Sequence, residues 1–317
     1  MTFDDNTIVF NGEIYNYIEI KEDLKKKGHS FHTTSDTEVI LHLYAEYGND
    51  FVNLLNGMFA FIIYDKNQNK LFIARDHFGI KPLYWFHDDQ IIAFGSEIKA
   101  LLAHPNIKAA ADNNNLYEYL TFQFIMGEGT MFKNIFKILP GHFMSIDLKT
   151  WNIKQEKYWE PNFRVDQFHT EEYFITELKT ILEETISQQL RSDVPLGTYL
   201  SGGIDSSLVT IIAAKLLNKP IKSFSGAFKE GPQFDELKYA RIAANTANAE
   251  LFEIFPTEQE FIDLIPKLIY HLDEPVAGPG LFPQYIVSNL ASKHVKVILG
   301  GQGGDEIFGG YTRYLVA

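Results

Sequence analysis

Two domains of different class are what this sequence predicts: an α+β half built on antiparallel strands, then an α/β half built on a parallel sheet. The 317 residues allow about two domains of ~150 residues, each with a sizeable core. Up to about residue 160 the strand-like runs follow one another without a regular strand and helix beat. Beyond Pro161 short, nearly all-apolar strands alternate with helices, the pattern of a parallel sheet covered on both faces.

In the first half, Thr7 to Phe10 reads as a short strand closed by Asn11-Gly12, a dipeptide common in turns. Tyr17, Ile20 and Leu24 recur at helical spacing across Tyr15 to Lys27, and Gly28 stops that helix. Ser35 with Glu38 three residues later reads as a capping box ahead of Val39, Leu43 and Tyr47, with Gly48 as the stop. Strands follow at Phe59 to Tyr64, Lys70 to Ala74, Leu83 to Phe86 and Ile91 to Phe94, spaced like an antiparallel meander. Helices around Ser96 to Leu102 and Asn115 to Phe122 and a strand at His142 to Ile146 complete this half.

The second half opens with a long helix, Glu171 to Leu190. Strands at Pro195 to Leu200, Ile221 to Ala227, Leu251 to Ile254 and Val295 to Leu299 then alternate with helices from Asp205, near Glu236 to Asn245, up to Leu272, and across Phe282 to Lys293. Ligands of such sheets sit at the carboxyl ends of the strands.

Composition removes several functions. With 28 basic against 41 acidic residues the formal charge is −13, so a large nucleic-acid footprint, which needs clustered Lys and Arg, is not expected. No run approaches the ~18 to 20 apolar residues that cross a bilayer; the best, Met58 to Tyr64, is a strand. The first residues carry no secretory pattern, and the expected location is cytoplasmic. Zero cysteines exclude disulfides, thiolate metal sites and a cysteine nucleophile within these residues.

The chemistry concentrates at two strand ends. Leu200-Ser201-Gly202-Gly203-Ile204-Asp205-Ser206-Ser207 leaves a strand, turns through two glycines and enters a helix. Converging backbone N–H groups, a helix amino end and serine hydroxyls make an anion cradle for phosphate or pyrophosphate. Asp205 belongs there only if a Mg²⁺ bridges it to phosphate oxygens. A capped strand-to-helix turn is the plainer reading of a lone Gly-Gly, and a serine nucleophile elbow fails because Gly-x-Ser-x-Gly spacing is absent. The second motif, Gly300-Gly301-Gln302-Gly303-Gly304-Asp305-Glu306-Ile307-Phe308-Gly309-Gly310-Tyr311, ends another strand. Six glycines in so short a stretch carry an entropy cost that argues for close approach of a ligand rather than a solvated turn.

Ser201 to Ser206 match the signature of the ATP-pyrophosphatase, or PP-loop, family. Together with Gly303 to Tyr311 they resemble the synthetase domain of glutamine-dependent asparagine synthetases. Asn11-Gly12-Glu13-Ile14-Tyr15-Asn16, Ser35-Asp36-Thr37-Glu38 and Ala74 to Tyr84 resemble the same family's class II, amino-terminal-nucleophile glutaminase domain. The resemblance implies partial glutaminase and synthetase domains over 1–160 and 161–317, and an ATP-dependent amide ligase that adenylates aspartate and passes it to ammonia or glutamine nitrogen. Its cofactors would be ATP and Mg²⁺. It implies ATP contacts at Leu200, Ser201, Gly202, Gly203, Asp205, Ser206, Gly226, Gly300 and Gly301, a metal between Asp205 and Asp305, and catalytic roles for Gln302, Asp305 and Glu306. It also implies an oxyanion hole at Asn11 and Gly12, and Glu13 and Asp36 on the glutamine ammonium. Arg75 to Tyr84 is expected to be structural. The partners are small molecules, not nucleic acid or membrane, and a homodimer is allowed.

The match has gaps. The family's amino-terminal cysteine and its glutamine-carboxylate arginine are absent, as is the segment that follows the Gly-Gly-Tyr motif, so the chain is expected to be truncated at both ends. Gln302 stands where many members carry a glutamate, and an amide cannot act as a general base. A β-lactam-synthetase-like closure of an internal amide and a non-catalytic nucleotide-binding fragment therefore remain alternatives.

Overall fold

The computed structural model of the protein describes residues 1–228, 237–275, 278 and 280–315. The chain divides into two compact units, one spanning Met1–Val165 and including the later residues Asp273 and Glu274, the other formed by the remainder.

The first unit holds β1 (Thr2–Phe3), β2 (Asn6–Ile14), α1 (Tyr17–Lys26), α2 (Asp36–Tyr47), β3 (Gly57–Asp65), β4 (Lys70–Arg75), β5 (Tyr84–His87) and β6 (Ile92–Gly95). It continues with α3 (Ile98–Leu102), α4 (Asn113–Phe122), β7 (Ile135–Lys137), β8 (His142–Asp147) and β9 (Asn152–Lys157). The strands form a six-stranded antiparallel sheet, β1-β2-β3-β4-β8-β9, and a three-stranded one, β6-β5-β7. Alternation along β3 explains its unbroken apolar run. Phe59, Phe61 and Ile63 face α1 and α2 through Leu24, Val39 and Leu43, while Ala60 faces Leu83, Trp85 and Ile138 on the other side. A strand covered on both faces has no polar side.

Two local expectations are corrected. Asn11-Gly12 is not a turn: β2 runs through it, with Asn11 opposite Ala60 and Gly12 opposite Phe59. Gly12 is required for another reason, because a Cβ there would sit 2.7 Å from the Cα of Phe59. The capping box does not close on itself either. Ser35 Oγ accepts from Thr37 N–H, but the Glu38 carboxylate accepts from the N–H groups of His32 and Thr33 at 2.7 Å and from the Thr33 hydroxyl. The buried helix spends its carboxylate on the incoming loop, whose backbone has no ladder partner.

Arg75 to Tyr84 holds the β4 to β5 connection. The Arg75 guanidinium donates to the carbonyls of Lys81, Ile138 and Gly79. The buried Asp76 carboxylate accepts from the N–H groups of Phe59, Phe78, Ile80 and Lys81 at 2.9 to 3.1 Å. Far along the chain, Asp273 caps α3 by accepting from Ile98 and Lys99 N–H and pairing with Lys99 Nζ at 2.9 Å.

The second unit is α5 (Glu171–Gln189), β10 (Leu196–Tyr199), α6 (Ile204–Leu217), β11 (Lys222–Gly226), α7 (Leu237–Ala247), β12 (Glu250–Ile254), α8 (Glu258–Leu272), α9 (Leu281–Ala291), β13 (Val297–Leu299) and α10 (Gly304–Phe308). The expected start of the helix at Glu236 lies outside the described residues. The four strands are all parallel, in the order β12-β11-β10-β13. Helices lie on both faces, as expected: Phe224 of β11 packs on Val287 and Ala291 of α9, while Leu200, just past β10, packs on Ala240, Ala243 and Ala244 of α7. The chain steps from β10 outward through β11 to β12, then returns to put β13 on the other side of β10. That reversal sets the carboxyl ends of β10 and β13 side by side at the switch point of the sheet, where ligands of such sheets bind, and both glycine loops start there.

Replacing Asp76 by Ala strands four backbone donors and should cost the first unit about 3 kcal/mol, read as a lower urea midpoint; Asp76→Asn, which keeps one acceptor, should lose less.

Candidate functional site

Each glycine loop leaves its strand through a left-handed residue that glycine adopts without steric penalty: Gly202 after β10 and Gly303 after β13, both at φ 97°. In the first loop, Leu200 N–H closes the ladder onto Phe224 O at 2.9 Å, and the chain turns away. Ser201 Oγ accepts from Gly203 N–H at 3.2 Å and lies 3.0 Å from Ser206 Oγ, which donates to Gly203 O. The two serines hold the loop shut from within, leaving the first-turn N–H groups of α6 without helical acceptors.

The second loop seats on the first. A Cβ on Gly301 would lie 2.7 Å from Ser206 N and 2.8 Å from the Cβ of Asp205, and one on Gly304 would overlap the Asp205 carboxylate. A Cβ on Gly310 would overlap the carboxylate of Asp305. Glycine is what lets these acids and backbones come together. Their charges are felt: burial first, then Asp305 and Glu306, push the Asp205 carboxyl above the usual carboxylate range. Glu306 accepts from the Tyr311 hydroxyl at 2.7 Å. The Gln302 amide folds back to where a Gly300 side chain would be. Gly226 ends β11, where a Cβ would press on Val287 Cγ2 at 2.7 Å.

Among the described residues no group of three or more His, Cys, Asp or Glu could hold a metal ion. The donor set suits Mg²⁺ nonetheless, since that ion is held by one or two carboxylates and takes its other ligands from phosphates and water. Two carboxylates that repel each other across a glycine wall have the chemistry for it.

In the first unit the structure groups the other predicted residues. Asn11, Gly12 and Glu13 close β2, and Asp36, the first residue of α2, accepts from Ile14 N–H at 3.0 Å. This brings the Asp36 carboxylate to the end of the strand that carries Glu13. Burial, then Glu13 and Asp76, push the Tyr15 phenol up to about 12. Asn11 Nδ2 donates to Ser96 Oγ at 3.3 Å. Ser96 carried no signal in sequence, because the contact spans 85 residues.

Residues 2–159 match the glutamine amidotransferase domain family, and residues 177–317 match the asparagine synthase family. The chain is 39% identical to asparagine synthetase (glutamine-hydrolysing) 1 of Bacillus subtilis over 99% of its own length and 49% of that protein's. It is 38% identical to the putative asparagine synthetase (glutamine-hydrolysing) 2 of Methanocaldococcus jannaschii, over 98% of this chain and 60% of that one. The chain thus spans about half the length of the curated relatives it matches. Among solved structures it is weakly similar to a glutamine phosphoribosylpyrophosphate amidotransferase of B. subtilis, at 19% identity and a TM-score of 0.34, over 72% of this chain and 48% of that one.

Asp305→Asn should lower the Asp205 pKa, leaving the part of its rise that burial and Glu306 cause, as read from the pH titration of its carboxyl ¹³C shift. The raised Asp205 pKa means that its ionised form costs the fold stability above that pKa, a cost absent below the unfolded value. The same variant should therefore raise the melting temperature of the ligand-free chain at pH 7, and an unchanged titration would show that the two acids do not interact.

Proposed function

Because the chain belongs to the asparagine synthase family, with a glutamine amidotransferase domain ahead of its synthase domain, we propose that residues 161–317 adenylate the side chain of aspartate with ATP. Ammonia then displaces AMP to give asparagine. The observation that carries this reading is the seating of Gly301 and Gly304 on Asp205, which sets two acids beside an open helix amino end.

A carboxylate is a poor acyl donor until its oxygen is joined to a good leaving group. Attack of the aspartate carboxylate on the α phosphorus makes the aspartyl-AMP bond and breaks the bond to pyrophosphate, so negative charge grows on the departing group. The N–H groups entering α6 are the donors that receive that charge, and Ser201 and Ser206 hold closed the loop that presents them. Leu200, Gly202, Gly203, Gly300 and Gly301 give the nucleotide a floor of backbone, and the Gly226 backbone at the end of β11 meets the adenosine. Asp205 and Asp305 would hold Mg²⁺, which neutralises phosphate charge when bound. Gln302, unable to take a proton, orients the aspartate or the incoming ammonia by hydrogen bonds, and Glu306, held by Tyr311, is the remaining acid.

Residues 1–160 carry the glutamine side of the same reading. Asn11 Nδ2 and Gly12 N–H form the oxyanion hole, and Glu13 and Asp36 bind the α-ammonium. These 317 residues contain no cysteine, so by themselves they form no thioester, and ammonia is the nitrogen source for them alone. The substrates are small molecules, and the reading places the protein in the cytoplasm. No described helix is long and apolar enough to cross a membrane.

Pyrophosphate exchange into ATP should depend on added aspartate and fall at least a hundredfold in Asp205→Asn, while glutamine gives no glutamate. ATP binding with no aspartate-dependent exchange would contradict the proposed reaction.

A further inference from the structure

Beneath the first glycine loop runs a line of buried hydroxyls. Thr198 of β10, Ser223 of β11 and Thr210 of α6 have no exposed surface, and Ser206 has 8%. Thr198 Oγ1 and Ser223 Oγ are 2.8 Å apart. The single Thr210 hydroxyl proton is shared between Thr198 Oγ1 at 3.0 Å and Ser206 O, one turn up the helix, at 2.8 Å. Ser206 Oγ in turn reaches Ser201 Oγ and Gly203 O. Two adjacent strands are thereby joined to α6 by hydrogen bonds.

Buried hydroxyls cost free energy unless paired, and valine or alanine would fill the same space, so this line needs a reason. The other buried contacts of α6, Ala213 and Ala214 with Val209, Ile212 and Leu217 against Leu299 and Ile221, are apolar. Apolar contact is non-directional, and it does not fix where a helix stands along its own axis. Hydrogen bonds do. Position along that axis matters here more than elsewhere, because Ser206 N and Asp205 stand against Gly301 with no room for even one methyl group. An ångström of slide would close that contact or open it.

We propose that Thr210 is a positioning residue for the nucleotide site: through Thr198 and Ser223 it sets the height of the α6 amino end, and with it the Ser206 N–H and the Asp205 carboxylate. This rests on the reading of that site as a pyrophosphate cradle. Thr210 touches no substrate.

The test measures pyrophosphate, ATP and adenosine affinity by calorimetry with Mg²⁺ on the full chain, well below its melting temperature. Thr210→Val keeps shape and β-branching but removes the proton, and should weaken pyrophosphate and ATP about tenfold while adenosine binds as before. Thr210→Ser should return both to within about twofold of wild type, a rescue that lost packing would not give. If Thr210→Val does not fold, Ser223→Ala, which removes only the far end of the line, decides the matter by weakening pyrophosphate in the same selective way. Wild-type pyrophosphate affinity in the folded variant, or failure of the serine to restore it, overturns the role of Thr210 alone. A wild-type chain that binds neither pyrophosphate nor ATP overturns the cradle itself.

Discussion

Close approach between two glycine loops is the constraint on which the rest of the second unit depends. Asp205 and the Ser206 N–H lie against Gly301, and the Asp205 carboxylate lies against Gly304, at separations no side chain would tolerate. That contact places Asp205 where burial, then Asp305 and Glu306, raise its pKa. In the ligand-free chain burial and the neighbouring acids disfavour the ionised Asp205 carboxylate. Such a cost is expected where charge is held ready for a cation and a polyanion rather than for the fold.

The sheet makes the contact inevitable. With β10 flanked by β11 and β13, the loops that leave β10 and β13 emerge side by side at the reversal of strand order, and neither has a helix between it and the other. Gly202 and Gly303, at the same left-handed φ, turn the two chains sharply enough to stay in contact. Below them the hydroxyls of Thr198, Thr210 and Ser223 add hydrogen bonds to a helix and sheet interface that is mostly apolar. The first unit follows the same economy with different parts: Asp36 and the end of β2 meet because the Ile14 N–H at the strand end needs an acceptor and the carboxylate at the start of α2 supplies it.

Much of this was legible in sequence because the signals were local. The alternation of short apolar strands with helices read correctly as a parallel sheet, and the strand, glycine and helix order at Ser201 and Gly300 marked the two loops that the structure brings into contact. What failed was also local. Asn11-Gly12 carries a turn signal, yet it lies inside a ladder because its partner, β3, arrives more than forty residues later and needs the space a glycine leaves. Glu38 has capping-box spacing, but its carboxylate goes to the backbone of His32 and Thr33. The contacts of Asn11 with Ser96 and of Asp273 with α3 have no sequence signature at all, since each joins segments that only the folded chain brings together.

The claim that Asp205 and Asp305 face one cation across the glycine contact is open to direct observation. A crystal of the full chain grown with Mn²⁺ and a non-hydrolysable ATP analogue should show one anomalous peak bonded to both carboxylates and to phosphate oxygens, with the triphosphate over the amino end of α6. A peak bonded to neither aspartate, or a nucleotide bound away from both glycine loops, would contradict the account.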